Sequence, residues 1–173
     1  MYVGASVIRD KRGNMIKTGD KIPSMKLMVV TAEGPREADT AELLGRGKVV
    51  LFAVPGAFTP TCSAKHLPGF VKLAAEFKAR GVDKIICMAV NDAYVMGAWA
   101  KDQKSGDAVV MLADGAAAFT KALGLELDLA ARGLGLRSQR FALVAQDGVV
   151  THLAVEEPGG FEVSRAEAVL ETL

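Results

Sequence analysis

The apolar residues fall into short runs separated by polar and glycine-rich breaks. Residues 48–54 read Lys-Val-Val-Leu-Phe-Ala-Val, and residues 84–90 read Lys-Ile-Ile-Cys-Met-Ala-Val. Continuous, β-branched-rich runs of this length fit strands buried on both faces. Residues 25–31 and 109–112 predict two more strands, with Glu33-Gly34-Pro35 as a turn after the first. Residues 140–145 and 149–155 flank Gln146-Asp147-Gly148, and an Asp-Gly step between apolar runs predicts a hairpin. Helices are expected at 39–45, from 59–61 to about Arg80 with a kink at Pro68, at 93–104 behind an Asn91-Asp92 cap, and at 116–123. Gly81 and Gly124 stop two of them. Ser164 and Glu167 have the spacing of a capping box that opens a last helix. Residues 125–138 carry no single pattern, and Arg132-Gly-Leu-Gly135 reads as loop. The order β-α-β-α-β-α-β-β-α predicts an α/β fold. Its early alternation implies parallel strands and its late hairpin antiparallel ones, in a mixed central sheet with helices on both faces.

Composition narrows the picture. The chain has 173 residues, which fits a single domain over 1–173. Twenty-one Lys and Arg against 20 Asp and Glu give a net charge of +1. That balance argues against a nucleic-acid binder, which needs a concentrated basic surface. The longest apolar runs are far below the roughly 20 residues that span a bilayer, so no membrane association is expected. At the N-terminus the apolar residues come first and Arg9-Asp-Lys-Arg12 second, the reverse of a signal peptide. Residues 1–14 read as an irregular or swapped N-terminal extension, and the reducing cytoplasm is the expected compartment. Two cysteines exclude a disulfide-stapled scaffold and a four-thiolate zinc site, but leave room for one reactive thiol.

The segment Val54-Pro-Gly-Ala-Phe-Thr-Pro-Thr-Cys-Ser63 joins a buried strand to a helix. Pro60 suits the first helical turn, where its missing N–H is no loss. Cys62 then lies within that turn, near unpaired N–H groups and the positive end of the helix dipole. Such a place favours thiolate, so Cys62 is expected to be acidic and partly exposed. Thr59 can set a hydroxyl beside the same sulfur. The site falls at the carboxyl end of a strand, where catalytic groups of α/β folds gather. Location alone also admits Cys62 as a small packed residue.

Pro55-x-x-x-Thr59-x-x-Cys62 resembles the active-site motif of the peroxiredoxins. The longer string Pro-Gly-Ala-Phe-Thr-Pro-Thr-Cys-Ser, with His66-Leu-Pro-Gly-Phe70, is similar to the atypical type II, or peroxiredoxin-five, subfamily. Val90-Asn-Asp-Ala-Tyr94, Trp99, Leu112-Ala-Asp114 and Arg140-Phe-x-Leu-Val-x-Gln-Asp-Gly148 extend the resemblance over about residues 16–160. It implies a thioredoxin-like fold and a thiol-dependent peroxidase that reduces hydrogen peroxide and organic hydroperoxides. Cys62 would be the peroxidatic nucleophile, oxidised to a sulfenic acid. Thr59 would bond thiolate and peroxide, Arg140 would supply the active-site guanidinium, and Pro55 would shield the site from water. No cofactor or metal is implied. Read from position alone, Arg140 is a surface arginine at a strand start.

His66 lies four residues after Cys62 and reads as a structural or rim histidine, with added positive charge near the sulfur as the other reading. Trp99 reads as core or interface. Gly133-x-Gly135 lacks the setting of a dinucleotide loop. Cys87 lies mid-strand, either as a packed thiol or as a resolving partner for Cys62. Some subfamily members carry a resolving cysteine near the C-terminus, and Gly160-Phe-Glu-Val-Ser164 has none. The expectation is a one-cysteine mechanism reduced by glutathione with glutaredoxin, or by thioredoxin, in a homodimer packed near the active-site loops. A peroxide-sensing module using the same cysteine is the alternative. A disulfide reductase is disfavoured by the missing Cys-x-x-Cys pair.

Overall fold

The computed structural model describes residues 15–173. The reading of 1–14 as an extension lies outside them. Seven strands form one sheet in the spatial order Gly34–Asp39, Lys26–Thr31, Val110–Ala113, Val82–Ala89, Lys48–Ala53, Phe141–Gln146, Val149–Val155. At its centre β3 (Lys48–Ala53), β4 (Val82–Ala89) and β5 (Val110–Ala113) run parallel. On one side β1 (Lys26–Thr31) and β2 (Gly34–Asp39) add antiparallel strands, and on the other β8 (Phe141–Gln146) and β9 (Val149–Val155) do the same. This is the expected mixed sheet of a thioredoxin-like fold.

Strand periodicity divides the core in two. Val50, Phe52 and Val54 point to one face and Val49, Leu51 and Ala53 to the other, and all six are fully buried. On the first face lie α2 (Leu67–Ala79), α3 (Ala93–Asp102) and α5 (Ala166–Glu171), through Phe70, Phe77, Trp99 and Val169. The second face packs α4 (Ala118–Leu123), through Phe119 and Leu123, and Leu44 at the end of α1 (Thr40–Leu43). Cys62 and Cys87 belong to the first face.

Four local readings are corrected. Gly34-Pro35 opens the edge strand β2, paired from Thr31↔Gly34 to Lys26↔Asp39, and is not only a turn. Residues 125–138 hold a second small sheet, β6 (Glu126–Leu129) against β7 (Gly135–Ser138). The helix that starts at Pro60 is continuous through a π-helical turn, Cys62–His66, where Leu67 N–H donates to the Cys62 carbonyl. Pro68 has no N–H to bond the carbonyl of Ala64, so widening the preceding turn sacrifices little. Ser164 does not cap α5. Arg165 holds that position, and the Ser164 hydroxyl donates to Glu156 instead.

Candidate active site

The loop after β3 is fixed at both ends. Val54 N–H donates to the Met88 carbonyl (3.0 Å), and Ala57 N–H donates to Asn91 Oδ1 (2.9 Å). Pro55 and Gly56 are buried between them, and the Arg137 guanidinium donates to the Pro55 carbonyl at 3.4 Å. Gly56 is needed for the close approach, because a Cβ there would stand 2.8 Å from Arg137 Nη1 and 3.2 Å from the Thr59 methyl. Phe58 takes a left-handed backbone (φ 62°) and stays exposed.

The helix then carries Cys62 inward. Its residue is fully buried, not partly exposed as expected. The cause is long-range packing: Arg140, which precedes β8 and is 8% exposed, donates from Nη2 to Cys62 Sγ at 3.2 Å. Arg140 Nη1 lies 2.8 Å from His66 Nδ1, and His66 Nε2 lies 3.0 Å from the Ser164 carbonyl. A carbonyl only accepts, so Nε2 carries the ring proton and Nδ1 accepts from the guanidinium. His66 is therefore neutral and adds no positive charge. Burial first, and then the Arg140 charge, push its pKa down from 6.5 to about 3, against the Ser164 carbonyl. The ring is wholly buried between Phe52 and Phe161, not on a rim.

Thr59 departs from its expected contact. Its hydroxyl donates to the Gly56 carbonyl at 2.7 Å and not to the cysteine sulfur. With the proton engaged, the oxygen lone pairs remain as an acceptor. Pro55 and Arg140 line one small cavity beside the site, together with Glu156 and Gly160. One buried thiol thus faces a fixed cation.

The Redoxin family model matches residues 17–170. Peroxiredoxin-2E-2 of Oryza sativa subsp. japonica, named as chloroplastic, is 53% identical over 91% of this chain and 72% of its own length. Peroxiredoxin-2C of the same plant is 49% identical over 91% and 98%. The chain belongs to the peroxiredoxin family. The reduced Prx3 of Vibrio vulnificus, crystallised with hydrogen peroxide, superposes with a TM-score of 0.87 at 54% identity, covering 91% of this chain and 99% of that one. Like its relatives, this peroxiredoxin is a thiol-dependent peroxidase, an oxidoreductase on a thioredoxin-like fold. No helix among its described residues is long and apolar enough to cross a membrane.

The second cysteine of the peroxiredoxin faces the same core as the first. Cys87 is fully buried opposite Phe52, and both thiols are free. Burial first, and then the neighbouring Cys62 charge, push the Cys87 thiol well above its ordinary range. The two residues of the expected Asn91-Asp92 cap divide the work. Asp92 caps α3 through Val95 N–H, and Asn91 anchors the active-site loop. Trp99 is core as expected, with one further contact: its indole N–H donates to Ser63 Oγ at 2.9 Å, beside Cys62.

Proposed function

We propose that Cys62 reduces hydroperoxides by a one-cysteine mechanism, as an atypical type II peroxiredoxin of a single domain. The observation that carries this reading is the Arg140 guanidinium donating to a fully buried Cys62 sulfur at 3.2 Å. A charge-assisted bond of that kind suits a thiolate. The sulfur attacks the nearer peroxide oxygen and the O–O bond breaks. The attacked oxygen stays on sulfur with its hydrogen, making Cys62 a sulfenic acid. The departing oxygen takes the electron pair and a proton from solvent, equal to the one the thiol gave up on ionising, and leaves as water or alcohol. Arg140 stabilises the charge that develops on that oxygen. The Thr59 oxygen accepts a hydrogen bond from the peroxide hydroxyl and so orients the attack, which its own bond to Gly56 supports. Pro55 keeps water out.

An external thiol then condenses with the sulfenic acid, releasing water and forming a mixed disulfide. A second thiol restores Cys62 and leaves as the oxidised reductant. Because Cys62 is buried, the first helical turn opens for this step. Glutathione with glutaredoxin, or thioredoxin, supplies the thiols. The burial of Cys87 and its raised thiol pKa support a packing role over a resolving one. Phe58 at 53% and Val163 at 45% exposure support a homodimer packed at the active-site loops. Two free thiols support a reducing, cytoplasmic setting.

The test is peroxide turnover with each reductant, in the wild type and in Cys87→Ala. Turnover that survives in Cys87→Ala supports the mechanism. Loss of turnover in a folded Cys87→Ala, with every reductant, overturns it.

A further inference from the structure

Glu156 follows β9 and is only 8% exposed. Its carboxylate is occupied by its own loop. Oε2 accepts from Glu162 N–H (2.8 Å), Ser164 N–H (3.0 Å) and Ser164 Oγ (2.7 Å), while Oε1 accepts from Val163 N–H (3.2 Å). Three consecutive backbone donors thus converge on one side chain. The loop is folded back on the strand end, where Glu156 N–H also donates to the Arg140 carbonyl at 2.9 Å.

That loop delivers what His66 and Arg140 need. Its Ser164 carbonyl accepts from His66 Nε2 and so fixes which ring nitrogen is free to receive Arg140. Its Phe161 ring stands edge-on to His66 at 5.1 Å and lies 5.8 Å from the Arg140 guanidinium carbon. Without the loop, the histidine loses its proton acceptor and Arg140 loses both the ring and its aromatic wall. Only a carboxylate accepts all these donors. Glutamine would turn an NH₂ toward N–H and O–H groups.

We infer that Glu156 is a positioning residue for the peroxidase reaction, acting through the Ser164–His66–Arg140 chain to hold the guanidinium on Cys62. The inference rests on the reading that Arg140 acts on the peroxide. Burial raises the Glu156 pKa, but the bonds from Ser164, Val163 and Glu162 outweigh it and keep the group ionised.

A double-mutant cycle tests this in the full chain. The second-order rate constant for hydrogen peroxide is measured by stopped flow in wild type, Glu156→Gln, Arg140→Met and the double variant. Glu156→Gln should lower it about tenfold beside Arg140, since misplaced catalytic groups are costly at small displacements. In the Arg140→Met background the same change should cost less than about twofold, because the group it positions is gone. A general structural role would slow both backgrounds alike, and that result overturns the proposal. So does an unchanged rate in Glu156→Gln when Arg140→Met is slow. If Arg140→Met keeps the wild-type rate, the reading of Arg140 fails and the proposal with it. Should Glu156→Gln not fold, Glu156→Asp keeps the charge, shortens the reach and enters the same cycle with the same outcomes.

Discussion

Acidification should cost this protein stability through His66. The ring is fully buried, and burial followed by the Arg140 charge depresses its pKa from 6.5 to about 3. Below 6.5 the unfolded chain binds a proton that the folded chain refuses. Stability is therefore whole above that value, falls as the pH drops, and levels off near 3, where the folded ring also titrates. One pKa unit is worth about 1.4 kcal/mol, so at about pH 5 His66 alone removes about 2 kcal/mol. The perturbation that isolates it is His66→Gln. Its amide oxygen can accept from Arg140 and its NH₂ can donate to the Ser164 carbonyl, but it does not titrate. Urea unfolding at about pH 7.5 and about pH 5 gives the difference. Wild type should lose about 2 kcal/mol more than His66→Gln between them. Equal losses would refute the reasoning, because the folded ring would then carry its proton and could not accept from Arg140.

Three further outcomes follow from the site. Arg140→Met should slow the peroxide step roughly 10²–10³-fold with the fold intact, by analogy with lost oxyanion donors, as stopped-flow kinetics will report. A rate within about twofold of wild type would place Arg140 outside the chemistry. Ser63→Ala strands the buried Trp99 N–H and should cost about 1–3 kcal/mol in urea unfolding. An unchanged midpoint would mean that the indole bond contributes nothing. Gly56→Ala forces a Cβ against Arg137 and the Thr59 methyl, and overpacking of that kind costs about 1–3 kcal/mol. Its melting temperature and peroxide rate should both fall, and wild-type values for both would show that the loop yields freely.

The central strands were legible because their apolar runs are continuous and both faces are buried, as for Val49 to Val54. β2 escaped because Pro35, Arg36 and Glu37 make a polar edge strand, whose register comes from pairing with β1 and not from burial. Between 125 and 138 a signal was present. Leu125, Leu127 and Leu129 alternate and are all buried, but the run is short and broken by the turn at Ala130–Arg132. The Ser164 box failed because a carboxylate eight residues upstream outcompetes the helix N-terminus for its hydroxyl. At the site, the strand–Pro–helix pattern located Cys62 and the motif resemblance supplied Arg140. Their contact spans 78 residues, and no local pattern encodes it. The burial of Cys62 goes with that contact, so its expected exposure was the reading that failed, whereas His66 is structural, the reading put first, with its two ring nitrogens held by Arg140 and the Ser164 carbonyl.

The central claim is that Cys62, and not Cys87, meets the peroxide and then waits for a thiol from outside. Peptide mass mapping tests it directly, after one equivalent of hydrogen peroxide in the presence of a sulfenic-acid trap. The trap should be found on the peptide that holds Cys62 and not on Cys87, with a glutathione adduct on Cys62 when that thiol replaces the trap. An internal Cys62–Cys87 bridge, or first oxidation at Cys87, would contradict it.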